Sequence, residues 1–424
     1  MTIIEYQKAY EEIITLQKEY LKTNKNTLQQ THYKQLGSTF LTSKQLKTIR
    51  DKHTATLSSK ALAQVDIQKS AYLKHGKIPE HILFTRQSLE QSTQWTVAQI
   101  HGHRYKKIKS GKIADLGCGV GIDSWAIAQN ITHETKLTAY ELQAEEATLA
   151  THNLKKFSNV TVKNQNIFDI NFKQTEFEAI YVDPARRKNN KRILDPKQWT
   201  PPLDTVYEWL NYCPNIGIKI APGTQYSHLH PDSETNWLSI NGQLVEASMW
   251  FGKLKNHTGK TATVINTKQE KQPLILKYTF DNNATNCQTQ IDVTKIPLQK
   301  NLYITQIDPA ILRANGLSYI AKEINGKLIS ENISYLISNQ ENQNTKIQNI
   351  IKQLKIIDYC QLKPKKIDQM LQTHDIGTIE IKKKGTDIIP DSFRKKIKLK
   401  GKNKATLILT RYQSKHIALL AQNL

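Results

Sequence analysis

Carboxylates are in short supply in this 424-residue chain: 37 Asp and Glu stand against 60 Lys and Arg, a formal net charge of +23. That imbalance points away from cationic partners and toward polyanions, nucleic acid or an anionic surface. Cysteine is scarcer still. Cys118, Cys213, Cys287 and Cys360 lie far apart with no C-x-x-C pair, which leaves no zinc or disulfide framework. Apolar runs of membrane-spanning length are missing, so no membrane is expected as a partner. Residues 1–5 lack the basic-then-apolar order of an export signal, and a reducing cytoplasm is the expected setting. The 13 histidines show no ligand spacing: His228 and His230 are two apart with no carboxylate at helical distance, so no metal is expected. There is no G-x-x-x-x-G-K-[ST] to cradle a phosphate chain, at the glycine turn or elsewhere, and no G-x-S-x-G elbow.

What the chain does have is Asp115-Leu116-Gly117-Cys118-Gly119-Val120-Gly121. It follows a strand-like run at 112–116 and precedes a helix-like run at 122–128. Glycines without a Cβ let the backbone pass close to a ligand. The spacing is G-x-G-x-G, and Ile122 stands where a dinucleotide fingerprint has its last glycine. An acid at Asp115 suits a ligand carrying a cationic amine, and S-adenosyl-L-methionine is such a ligand. Glu141 ends the next strand-like run twenty positions after Gly121, the offset of a carboxylate that binds ribose hydroxyls. Leu142 can cover one face of an adenine and Ile167 the other. Asn166 offers a side-chain carbonyl to the adenine amine, with Asp169 as the competing candidate.

Strand-like runs at 112–116, 136–141, 160–164, 179–182, 216–220 and 244–250 alternate with helix-like stretches, including 143–157 and 203–212. This pattern predicts an α/β fold, a Rossmann-like doubly wound sheet with the ligand at the carboxyl ends of its strands. Residues 1–104 read as an N-terminal helical region, with Ile4, Tyr10, Ile13, Ile14 and Leu21 at helical spacing and 86–104 as one helix. Residues 105–275 form the expected sheet domain. Residues 276–424 form a smaller basic α+β domain, open to division near 340, after a polar boundary at 281–290.

The fourth strand-like run leads into Asp183-Pro184-Ala185-Arg186-Arg187. Asp183 and the Pro184 carbonyl can accept hydrogens from an exocyclic amine and aim its lone pair. Proline stiffens the loop. Arg186 and Arg187 can hold a phosphate or stack on a base. Trp199, before Pro201 and Pro202, offers an aromatic face at the same edge, or else core packing. The C-terminal region is dense in cations, with Lys382, Lys383, Lys384, Arg394, Lys395, Lys396 and Lys398 as candidate nucleic-acid contacts.

These residues, with Leu89-Glu90-Gln91-Ser92-Thr93, Ile218-Lys219-Ile220-Ala221-Pro222-Gly223 and Met249-Trp250-Phe251-Gly252, resemble a bacterial family: class I S-adenosylmethionine-dependent methyltransferases with a THUMP-like C-terminal domain. The resemblance runs from about Phe84 onward. It implies that the Gln91–Thr93 segment closes over the methionine end of the cofactor, that residues 115–121 form the methionine-binding loop and that Glu141 is the ribose acid. Asn166 stands where the family pattern has Asp. Asp183-Pro184-Ala185-Arg186 is similar to the Asp-Pro-Pro-aromatic motif of amino-methyltransferases, with alanine for the second proline and arginine for the aromatic. The THUMP-like part implies RNA binding. The expected activity is methyl transfer to RNA, at a nucleobase, with rRNA and tRNA equally open. The alternatives are an RNA-assembly protein with a vestigial cofactor pocket and a methyltransferase of this fold acting on a protein or small molecule.

Overall fold

The computed structural model describes residues 11, 12, 15, 43–76, 78, 79, 81–188, 191–267, 273–280 and 291–424. The helical reading of residues 4–21 falls almost wholly outside these, as does the boundary segment 281–290. The chain forms two compact units, Met1–Ser233 with Ser248–Asn256, and Glu234–Ala247 with His257–Leu424.

In the first unit, helices α1 (Ser43–Lys52), α2 (Ala55–His75), α3 (Arg86–Gln91) and α4 (Trp95–Arg104) precede β1 (Gly111–Leu116). Then come α5 (Ile122–Ala128), β2 (Thr135–Glu141), α6 (Ala144–Leu154), β3 (Val160–Asn164), α7 (Phe172–Thr175) and β4 (Phe177–Val182). A small hairpin, β5 (Arg187–Lys188) and β6 (Lys191–Arg192), leads to α8 (Leu203–Glu208) and β7 (Ile216–Ile220). Five strands pair in parallel in the order β7-β4-β1-β2-β3. The central strands are apolar nearly throughout because helices cover both faces of a parallel sheet; β7 is buried at all five positions. The order reverses beside β1, whose neighbours are β2 and β4. That switch point opens a crevice at the carboxyl ends. Register aligns those ends: Leu116 pairs with Tyr140 and with Val182, Glu141 with Asn164, and Val182 with Ile218.

One sequence expectation changes here. Residues 86–104 are two helices, broken at Ser92-Thr93-Gln94. Caps supply the physical reason. The Lys74 ammonium donates to the carbonyls of Leu89 (2.5 Å), Glu90 (3.0 Å) and Ser92 (2.6 Å), ending α3. The Gln94 side chain accepts from the Val97 N–H and starts α4. The described helices before residue 105 pack onto the sheet's own helices. Ile49, Ala61, Val65 and Ala71 share one apolar cluster with Trp125, Leu149 and Leu154 of the sheet's own helices.

The second unit holds β8 (Glu234–Ile240) and the first part of β9 (Gln243–Trp250), with β10 (Gly259–Asn266) parallel to β8. β11 (Leu274–Phe280) pairs with β10 along its length, so the chain does not divide at 275. A seven-stranded sheet follows, ordered β13-β14-β12-β15-β18-β17-β16. Its members are β12 (Tyr303–Ile307), β13 (Lys327–Ser330), β14 (Ile333–Ser338), β15 (Ile351–Gln361), β16 (Ile376–Lys383), β17 (Asn403–Tyr412) and β18 (Lys415–Asn423). β12 pairs with β15, so one sheet spans residue 340 rather than splitting there. Helices α9 (Pro309–Arg313), α10 (Leu317–Glu323), α11 (Pro364–Thr373) and α12 (Pro390–Arg394) complete the unit. β16 and β17 are parallel, and the segment joining them carries α12 and most of the C-terminal lysines. Among the described residues no helix is long and apolar enough to cross a membrane.

Candidate active site

The glycine turn between β1 and α5 has φ values of +85° at Gly117, +57° at Gly119 and +85° at Gly121, a region that L side chains rarely adopt. A Cβ at Gly121 would press on Leu154, with Cδ1 at 3.0 Å, so that glycine also serves packing. A Cβ at Gly119 would meet nothing within 4 Å, so the middle of the turn fronts open space. The N–H groups of Gly117 and Cys118 both donate to the Tyr140 carbonyl, at 2.9 and 3.0 Å. Glu141 lies at the next strand end. Its Oε2 accepts from the Gly119 N–H (2.8 Å) and its Oε1 from the Gln143 N–H (2.9 Å). Each oxygen keeps a second lone pair for a ribose hydroxyl. The Asn164 amide donates to the carbonyls of Glu141 and Leu142, both at 2.9 Å, fixing that segment.

Asn153, on α6, was not foreseen. Its Oδ1 accepts from the Leu83 N–H (2.8 Å), and its Nδ2 donates to the carbonyls of Leu83 (3.0 Å) and Val120 (2.9 Å). One buried amide therefore ties the glycine turn to the segment entering α3. Asn153→Ala would strand those buried groups, and a loss of about 3 kcal/mol in unfolding free energy is expected by urea denaturation.

Asp115 is 1% exposed. Its Oδ2 accepts from the Ser124 hydroxyl, whereas its Oδ1 is buried with no hydrogen-bond partner. Burial pushes its carboxyl up to about 8; the Ser124 hydrogen bond opposes this, and the charges of Asp123, Asp183 and Glu141 add to it. An acid in that position is matched to a cation.

A polar chain runs behind it. Lys219 is 5% exposed; its ammonium donates to Asp183 Oδ2 (2.7 Å) and Thr93 Oγ1 (2.9 Å). Thr93 donates to Asp123 Oδ2 (2.5 Å), and Asp123 Oδ1 lies 2.9 Å from His101 Nδ1. Burial alone would raise the Asp123 carboxyl, but the hydrogen bond and charge of His101 together with Lys219 hold it below its ordinary value. Asp183 keeps 28% of its side chain exposed, and burial raises its carboxyl against the pull of Lys219 and Arg186. Among the described residues no partner is recorded for its Oδ1.

The remaining candidates are distributed as follows. Gln91 is exposed at the end of α3 and stays outside the cluster that Thr93 joins. Cys118 is buried in the turn, and burial raises its thiol. Leu142 is 60% exposed, and Ile167 is half-buried. Asn166 Oδ1, expected to accept from adenine, accepts from the Phe168 N–H at 3.1 Å and caps a short helical turn. Pro184 is buried, while Ala185 and Arg187 are exposed. Trp199 departs from the substrate-facing expectation. It is 1% exposed, its Nε1–H donates to the Ile193 carbonyl (3.1 Å), and the Arg186 guanidinium sits 6.0 Å from its ring centre. The ring supports the Arg186 loop and presents no open face to a base. In the second unit Lys382 donates to Gln306 (2.7 Å) and Lys384 to Ser334, so both are engaged internally. Arg394 donates to the Ile379 carbonyl at 3.1 Å through one nitrogen. Lys383, Lys395, Lys396 and Lys398 are exposed.

The parallel sheet with its switch point, glycine turn and strand-end acids defines the class I methyltransferase architecture. The methyltransferase small domain family matches residues 79–195, and the THUMP domain-like family matches residues 351–423. The chain is similar to an uncharacterised S-adenosylmethionine-dependent methyltransferase known from two strains of Mycobacterium tuberculosis. Identity is 21% over 333 residues, covering 78% of this chain and 84% of the relative. It also shares its fold with the crystal structure of a presumed methyltransferase from Porphyromonas gingivalis W83, at TM-score 0.66 and 18% identity, covering 88% of this chain and 91% of that one. The protein is an S-adenosylmethionine-dependent methyltransferase carrying a C-terminal THUMP-like domain.

Proposed function

We propose that this methyltransferase modifies RNA, at a nucleobase, in the cytoplasm. The residues fit the cofactor: Asp115 Oδ1 is a buried acceptor without a donor, and the space in front of Gly119 is open. Asp115 would pair with the amino group and Glu141 would accept from the ribose hydroxyls. Leu142 and Ile167 would flank the adenine, with Asn166 at its amine. Gln91 and Thr93 would border the methionine end, and Gly117, Cys118 and Gly121 would shape the turn. When bound, the cofactor supplies a methyl group on a sulfonium, ready for in-line displacement.

The chain's share of the reaction is to align a nucleophile and take its proton. Asp183 carries this reading. One oxygen is held by a buried lysine, and the other is left to accept from a substrate amine. Pro184 would offer its carbonyl to the second hydrogen. Ala185 leaves room beside the amine, and Arg186 and Arg187 would hold the nucleotide. Lys383, Arg394, Lys395, Lys396 and Lys398 would add phosphate contacts from the THUMP-like domain, as the net charge favours.

The test is to incubate the protein with methyl-labelled S-adenosylmethionine and total RNA from a strain lacking it, then to identify the labelled nucleoside. Label in RNA that ribonuclease releases is the expected result. Label confined to protein or small molecules would replace RNA as the substrate. Tight cofactor binding without any transfer would favour an RNA-assembly role, toward which the capping duty of Asn166 leans.

A further inference from the structure

The hairpin that follows Asp183-Pro184 concentrates positive charge beside the reaction corner. Arg186, Arg187, Lys188, Lys191 and Arg192 lie within seven positions. The backbone register sets Arg187 opposite Arg192 and Lys188 opposite Lys191. Like charges directly opposite on paired strands destabilise the pairing. Arg187, Lys191 and Arg192 are exposed, and among the described residues no ion pair engages them to offset this. Arg186 adds an independent sign. Its Nη1 is shielded from solvent yet has no hydrogen-bond partner, and its charge acts on Asp183.

The base of the hairpin is nonetheless fixed. Ala185 and Thr200 exchange both backbone hydrogen bonds, at 2.8 and 3.1 Å. The Ile193 N–H donates to the Arg186 carbonyl at 2.8 Å, and the buried Trp199 holds the Ile193 carbonyl. Arg187 is four residues from Asp183, at most about 14 Å of extended chain. A rigidly based arm of unpaired cations, that close to the carboxylate, fits a chain of phosphates entering the reaction corner.

We propose that the β5–β6 arm, residues 186–188 and 191–193, is a phosphate clamp that grips the RNA strand on either side of the target nucleotide, with Lys191 and Arg192 as contacts additional to Arg186 and Arg187. This rests on the RNA reading above and deepens it by assigning a separate, local binding element. An acidic protein segment would meet the same charge but lacks evenly spaced anions flanking a base, so single-stranded RNA is the occupant argued for.

The test compares the full-length protein with an Arg187→Gln, Lys191→Gln, Arg192→Gln variant, binding a labelled mixed-sequence single-stranded oligoribonucleotide across a salt series. Three lost phosphate contacts should flatten the slope of log affinity against log salt by about 2. Cofactor affinity, measured by calorimetry, should stay unchanged and also reports that the variant is folded. Restoring the cations with Arg187→Lys and Arg192→Lys should restore most of the slope. An unchanged slope in the Gln variant overturns the clamp. So does RNA binding that is absent in the wild type while polyglutamate binds in a hairpin-dependent way. If RNA binds with the expected slope loss but never accepts label, the clamp stands and the RNA-methylation reading falls.

Discussion

Replacing Asp115 with asparagine is expected to weaken S-adenosylmethionine binding about a hundredfold while making the empty protein more stable at neutral pH. Both effects follow from one buried group. Asp115 is 1% exposed, one of its oxygens has no partner, and its carboxyl is raised to about 8. Between the ordinary carboxyl value near 4 and about 8 the folded chain holds a proton that the unfolded chain has released. The folded state therefore binds more protons in that window, and stability falls as pH rises through it. Asparagine keeps the shape and the acceptor for Ser124 without that penalty. A gain on the order of 2 kcal/mol at pH 7 is expected, fading toward pH 4, read from unfolding curves across pH. Binding goes the other way. A buried carboxylate paired with an ammonium contributes about 2–5 kcal/mol when one partner is truncated, hence the hundredfold loss or more in calorimetry. The wild-type affinity should peak near pH 8. Below that, Asp115 must give up a proton to pair; above it, the free amine, with an ordinary value of about 8, must take one up. A variant that lost stability and bound the cofactor normally would remove Asp115 from the cofactor site.

The parts of this molecule legible in its sequence are those encoded locally. The turn from Asp115 to Gly121 needs three positive-φ residues in seven positions, and glycine announces them. Strands β1, β4 and β7 are short, largely apolar runs and β2 and β3 alternate apolar with polar residues, and the fold class follows from their alternation with helices. Asp183 and Glu141 stood out as the acids that follow such runs. The network behind Asp183 is not local: Lys219 meets Thr93 across 126 positions. A lysine inside the fully buried run Ile216–Ile220 reads as an interruption of a strand until the β4–β7 register sets it beside Asp183. Helical spacing through 86–104 hides the inward turn of Thr93. The break that aims it inward depends on Lys74, a residue of another helix. Trp199 is undecided in the sequence between an open aromatic and core packing; the tertiary fold buries it beside Arg186.

Asp183→Asn is expected to lower kcat about a thousandfold and leave cofactor affinity within roughly threefold of wild type. Loss of a group that accepts a proton or stabilises developing charge is typically worth 10²- to 10⁴-fold, about 3–5 kcal/mol of barrier. Asparagine is the informative replacement. Alanine would leave the Lys219 ammonium, 5% exposed, without its carboxylate, and the structural loss would mask the chemical one. With asparagine Lys219 can still donate to the amide oxygen and to Thr93, so the strand ends stay in place. What disappears is the anionic oxygen that the proposed mechanism turns toward the substrate amine. Lys219→Met separates positioning from chemistry. With the ammonium gone, Asp183 loses the group that pulls its carboxyl down. The acid limb of the kcat profile should then move to higher pH, and activity should recover as pH rises, which Asp183→Asn cannot do at any pH. Normal single-turnover methyl transfer by Asp183→Asn would place the reaction elsewhere on the sheet edge. An unshifted acid limb in Lys219→Met would mean that the 2.7 Å pair holds the fold together without tuning the base.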